Sequence, residues 1–152
     1  MADINEVMEV WGDYISTIDD WELMVKGIEP KVGGCGLVYE VPNPIDRPQE
    51  SFAIADMRQL ELSEPHSHAN GEVEIYFIIA GVGKIAVEGE NIQDLSPGAR
   101  IYTPSGKFHI TLPGEGLVMA VVNTPPFNLD NYIPLSPDEE SVASAITDLK
   151  AA

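Results

Sequence analysis

Cysteine is nearly absent from this chain. Cys35 is the only one in 152 residues, so no disulfide can close within the molecule and no framework of cross-links dictates its fold. Basic residues are also scarce. Eight Lys and Arg stand against 25 Asp and Glu, a formal net charge of −17. A nucleic-acid binder needs a cationic footprint to neutralise phosphates, and eight scattered bases do not supply one. Docking on an anionic membrane surface is disfavoured for the same reason. Long hydrophobic runs are missing too. The longest, such as Ile75 to Ala80, are far short of the roughly 20 residues that a spanning helix needs. Residues 1–10 carry Asp3, Glu6 and Glu9 where a secretory signal would place a basic start and an unbroken apolar run, so a soluble, cytoplasmic protein is expected.

The chain does have enough apolar side chains for a core. The hydrophobic fraction is 44%, ordinary for a globular domain, which excludes the compositional class of disordered chains. Three textures follow one another. Residues 1–50 read as a helical and loop extension. Ile4, Val7, Met8 and Trp11 recur at helical spacing with acids between them, the pattern of a helix packing one face on a core. Trp21, Met24 and Ile28 fit a second short helix, whereas Trp21, Leu23 and Val25 alternate like a strand, and the pattern does not choose between them. Gly33-Gly34-Cys35-Gly36 and Pro42-Asn43-Pro44 then bracket a short strand, Leu37 to Val41.

Residues 51–123 read as the core domain. Short apolar runs (Ser51–Leu62, Val73–Ala80, Lys84–Val87, Ala99–Thr103, Phe108–Leu112, Leu117–Val122) alternate with turn residues, the signature of an antiparallel sandwich or barrel. Residues 124–152 read as a loop and a helix. Ser136 is the expected N-cap, Pro137 the first helical residue and Glu139 the partner in a capping box. Val142, Ala145, Ile146 and Leu149 form the apolar stripe.

The three histidines carry the chemical signal. His66-Ser67-His68 puts two imidazoles two residues apart, and in a strand such residues share a face, either interior or solvent. Glu72 and Glu74 also share a parity, and a hairpin through Ala69-Asn70-Gly71 would bring carboxylate and imidazole together across a sheet. His109 lies on a later strand. Imidazoles and a carboxylate on one interior face are a ligand set for a first-row divalent metal.

These residues resemble the motifs of the cupin family. His66-Ser67-His68, Glu74 and Gly81 follow the first cupin motif, and Gly98, Pro104, Gly106 and His109 stand at the spacings of the second. Three positions depart from the pattern. Leu60 and its neighbours occupy the place of an expected leading glycine, the gap from His68 to Glu74 is one residue longer than usual, and Pro113 replaces a closing asparagine. Glu72 would restore the gap but break the spacing to Gly81, so Glu74 is the preferred carboxylate. The resemblance implies an all-β fold, a double-stranded β-helix or jelly-roll barrel, with a metal held by His66, His68, Glu74 and His109. It also implies a homodimer, for which the segment around Trp11 and Trp21 offers an aromatic contact.

Three imidazoles and one carboxylate on a six-coordinate ion leave two positions for a substrate. The expected function is therefore a metal-dependent oxygenase, isomerase or lyase acting on a small oxygen-rich molecule. The alternatives are a non-catalytic metal and small-molecule binder and a cupin-type sugar-phosphate isomerase. The ligand types admit Fe, Mn, Ni, Co, Cu or Zn. Tyr76 shares the face of Glu74 and Thr111 that of His109, which makes both pocket candidates. Arg58, on the strand before the motif, is a third, able to hold a substrate carboxylate.

The acidic excess is uneven. Residues 1–50 hold 11 acids and 3 bases, residues 51–123 hold 9 and 4, and residues 124–152 hold 5 and 1. Most of the net charge thus lies on the flanks and bears on solubility more than on the site.

Overall fold

A computed structural model describes residues 3–152. In chain order the elements are α1 (Ile4–Ile15), α2 (Trp21–Met24), β1 (Lys31–Gly33), β2 (Gly36–Val41), β3 (Ser51–Asp56), β4 (His66–His68), β5 (Val73–Ala80), β6 (Gly83–Val87), β7 (Gln93–Leu95), β8 (Arg100–Thr103), β9 (His109–Pro113), β10 (Val118–Thr124), a 3-10 turn (Leu129–Asn131), β11 (Tyr132–Pro134) and α3 (Glu140–Ala151). The strands form two antiparallel sheets. One runs β1-β2-β3-β10-β5-β8 and the other β11-β4-β9-β6-β7.

The apolar run in β5 follows from its position. It lies inside the larger sheet, between β10 and β8, and both of its faces are covered. Ile75 and Phe77 pack outward against Val7, Trp11 and Phe52. Tyr76 and Ile78 pack inward with Met57, Ile85, Leu117 and Met119 between the sheets. With both faces buried, the apolar/polar alternation of a half-exposed strand disappears.

The helices close the outer faces. Asp3 caps α1, its carboxylate accepting from the Asn5 and Glu6 backbone N–H groups. The buried Trp11 stacks on Phe52 with ring centroids 5.1 Å apart. This helix therefore spends Trp11 on the molecule's own core, which removes it as the expected dimer contact. The segment from Trp21 is a single helical turn capped by Asp20, not a strand. On the opposite sheet, Val142 and Leu149 of α3 pack against Ala86, Phe108 and Ile110. That helix starts later than the sequence suggests. Ser136 instead closes a turn, accepting from Asp138 N at its hydroxyl and from Glu139 N at its carbonyl. Glu139 is the N-cap residue, without a side-chain cap bond.

The connection after β4 also differs from the expected hairpin. β4 pairs with β9 and β11, and β5 pairs with β10 and β8. Asn70 and Gly71 both take positive φ, 57° and 77°, and the chain crosses from one sheet to the other between them. Glutamate and histidines therefore meet across the sandwich interior rather than along one sheet.

Candidate metal centre

His66 and His68 project inward from β4, and His66 is the direct register partner of His109 on β9. The turn before β9 is tied to the same strand, because the Gly106 N–H and the Ser105 hydroxyl both donate to the His68 carbonyl, at 2.8 and 2.9 Å. Gly106 takes φ 82° there, a conformation that suits glycine. Glu74 reaches the histidines from β5 in the facing sheet. All four side chains are buried, and one ligand atom from each lies within 4.8 Å of the other three.

The orientation of the rings is specific. Glu74 Oε1 stands 3.1 Å from His109 Nε2 and 3.7 Å from His66 Nε2, and Oε2 stands 3.5 Å from His68 Nε2. Each imidazole thus turns Nε2 to a common centre. Their other nitrogens look outward. His66 Nδ1–H donates to the Glu64 carbonyl at 2.8 Å. His68 Nδ1 lies 3.0 Å from Glu72 Oε2, off the line of a well-formed hydrogen bond. Outer partners of this kind fix the tautomer that leaves Nε2 free to bind a metal.

A metal ion fits this set. His68 Nε2 is buried without a hydrogen-bond partner, which is costly for a polar atom unless another group completes it. The protonation states of Glu74 and His109 agree, whereas His68 must give up its proton to ligate. Burial raises the Glu74 carboxyl, but the three imidazoles beside it outweigh burial and hold it well below its usual range. Burial, together with neighbouring His66, lowers His109 to about 4. Burial also lowers His68, but Glu74 and Glu72 outweigh it and leave that ring above its ordinary value. An ionised carboxylate and a neutral imidazole are the ligand forms a cation requires.

The two glutamates are now distinct. Glu72 precedes β5 and points away from the centre. Its carboxylate accepts from Asn123 Nδ2, Asn131 Nδ2 and the Asn128 N–H at 2.8, 3.0 and 3.1 Å. Its fourth neighbour is His68, so Glu72 lies behind that ligand.

Above the centre opens a cavity of about 760 Å³. Tyr76 and Thr111 line it. The Tyr76 hydroxyl donates to Glu74 Oε1 and sits 2.9 Å from His109 Nε2. Burial, reinforced by the Glu74 charge, pushes its pKa well above the ordinary tyrosine value. Arg58 is elsewhere. Its guanidinium grips Asp56 with two bonds of 2.9 Å and lies 5.0 Å over the Trp21 ring, and it does not line the cavity. Two neighbours escape sequence reasoning. Tyr132 stacks on His66 with centroids 4.6 Å apart and donates to Glu64, and Phe127 meets the His68 ring edge-on. Phe127 comes from the loop after β10 and Tyr132 opens the three-residue β11, and no periodicity announces either.

No protein-family model matches the chain, and no curated protein matches it. Solved structures do. Streptomyces Pac13 with uridine aligns with a TM-score of 0.61 at 12% identity, over 74% of this chain and 88% of that one. Pac13 is described as a nucleoside dehydratase. KdgF from Halomonas sp. aligns at 0.55 and 20% identity, over 66% and 86% of the two chains. Oxalate decarboxylase from Bacillus subtilis aligns at 0.62 and 21% identity, over 74% of this chain and 31% of its own length. The likeness establishes the cupin fold.

Proposed function

We propose that this cupin-fold chain is a metal-dependent enzyme that acts on a small oxygen-bearing molecule chelated at a divalent transition ion. The ligands in this reading are His66, His68, Glu74 and His109. The observation that carries it is the meeting of these four buried side chains within 4.8 Å, three of which, His66, His68 and Glu74, line an open cavity. A bound divalent ion would polarise a carbonyl or acidify a hydroxyl of the substrate.

The remaining chemistry belongs to the chain's own groups. Tyr76 keeps its proton and donates a hydrogen bond to Glu74 Oε1 at the edge of the ligand cluster, so it orients the carboxylate of the proposed ligand set. Thr111 offers a second hydroxyl in the same cavity. Glu72 and the Glu64 carbonyl orient His68 and His66.

Metal analysis of tag-free protein tests the reading. Close to one transition ion per chain is expected, and the double substitution His66→Ala/His68→Ala should abolish it. Retention of the ion by the double variant would show that it sits elsewhere. Oxygen uptake with Fe(II), across diketones, thiols and catechols, separates an oxygenase from an isomerase or lyase. A fully loaded protein that turns over nothing would favour the binding module.

A further inference from the structure

We infer that the cavity takes an uncharged or cationic ligand with an apolar body, and that it discriminates against carboxylate-tailed and phosphorylated ones. This deepens the metal reading and rests on it.

The argument begins with charge. Of the eight Lys and Arg in the chain, only Lys31 lines the cavity. That residue is 73% exposed and engaged by Glu40 at 2.9 Å. Arg58 is held by Asp56 and Arg47 by Glu50, so neither guanidinium is free to receive an anion. Four carboxylates line the same space, Glu40, Glu50, Glu64 and Glu74. Lys31 and Arg47 offset two of them. A divalent ion would be offset in turn by Glu74 and by Glu72 behind His68. Glu64 then leaves one negative charge in excess. An anionic tail would enter that field with no partner, and in a cavity of reduced dielectric the repulsion is large. Phosphate recognition needs clustered cationic or backbone donors, and the lining has no arginine. The sugar-phosphate isomerase reading loses its substrate on this ground.

The second line is shape and polarity. Ala53, Ala55, Met57, Met119 and Val121 make one wall apolar. Phe127 and Leu129 extend that character to the rim, where both are exposed. The volume of about 760 Å³ falls in the range of pockets for drug-sized ligands. A two- or three-carbon acid would leave most of it unfilled. The metal-binding groups His66, His68 and Glu74 and this apolar wall line the same cavity, which suits a chelating head on an apolar body.

The test uses the Zn2+-loaded protein, whose ion is redox-inert, with stoichiometry measured first. Four probes share one chelating head: catechol, neutral 4-ethylcatechol, cationic dopamine and anionic 3,4-dihydroxyphenylacetate. They are titrated anaerobically by calorimetry. 4-Ethylcatechol and dopamine should bind about tenfold or more tightly than the acid, as one unscreened like charge in a partly desolvated site requires. 4-Ethylcatechol should also bind more tightly than catechol, and Glu64→Gln should narrow the acid's deficit severalfold. The inference is overturned if the acid binds as well as 4-ethylcatechol, if the ethyl group adds nothing, or if no probe binds the loaded protein; each of these leaves the metal reading standing. Failure to take up Zn2+ at all overturns the metal reading, and the inference with it.

Discussion

Glu72 and Glu74 have different neighbours because the strand begins between them. Glu74 obeys the alternation of β5 and turns into the sandwich, where it meets three imidazoles. Glu72 lies in the sheet-crossing turn and is enclosed by Asn123, Asn128 and Asn131. Glu74→Gln removes the one carboxylate of the proposed ligand set and should reduce metal occupancy to near zero. Glu72→Gln should keep nearly one ion per chain but weaken affinity about 10- to 100-fold, the usual effect of losing an outer partner of a metal-binding histidine. Competition against a chelating dye reads both. Equal affinity of Glu74→Gln and wild type would remove Glu74 from the ligand set. Residue parity in the sequence could not separate the two acids, because their difference arises from φ at Asn70 and Gly71 rather than from spacing. The histidines were legible because β4 and β9 are regular at those positions. Cys35 yields another test at this scale. It lines the cavity half-buried, and burial, with Glu74 and Glu64 nearby, pushes its thiol up to about 12. Only the thiolate reacts, and the greater nucleophilicity of a more basic thiolate offsets part of its scarcity, so alkylation by iodoacetamide at pH 8 should run roughly tenfold or more slower than for a free thiol. Labelling at the free-thiol rate, followed by mass spectrometry, would contradict that environment.

At the scale of elements, α1 is a structural part of the larger sheet. Trp11 is fully buried, stacks on Phe52 and donates its indole N–H to Glu50 Oε1 at 3.0 Å. Trp11→Ala should cost about 3–5 kcal/mol, the range for removing a large buried aromatic, and it also leaves Arg47 as the remaining side-chain partner of Glu50. Urea denaturation measures the loss. Metal content per folded chain should not change, since α1 packs on the face opposite the ligands; a parallel loss of metal would place α1 in the site's support. The long strands and α1 were readable because each buries a face with its own period. The strands missed in the sequence are β1, β7 and β11, each of three residues and each at a sheet edge. Edge strands this short are defined by their hydrogen-bonding partner, not by an internal pattern. The start of α3 was misplaced for a related reason: Ser136 satisfies a turn and an N-cap equally well in sequence, and only the packing of Val142 and Leu149 decides.

At the scale of the whole molecule, the charge acts in two separate ways. Around the cavity it is local and selects against anionic ligands. On the flanks it is diffuse, and its effect is on self-association. We propose a homodimer, in line with the family resemblance, in which the buried Trp11 side chain takes no part in the interface. Two chains of net charge −17 repel each other as they approach. The Debye length shrinks from about 30 Å at 0.01 M salt to about 10 Å at 0.1 M, so added salt should strengthen association rather than weaken it. Sedimentation equilibrium between about 10 and 300 mM NaCl should show the dimer dissociation constant falling as salt rises. A protein that stays monomeric at every salt and protein concentration would remove the homodimer. A dimer that loosens with salt would instead require opposite charges to face each other across the interface, and with only eight bases in the chain those contacts could be found by substituting Lys and Arg one at a time.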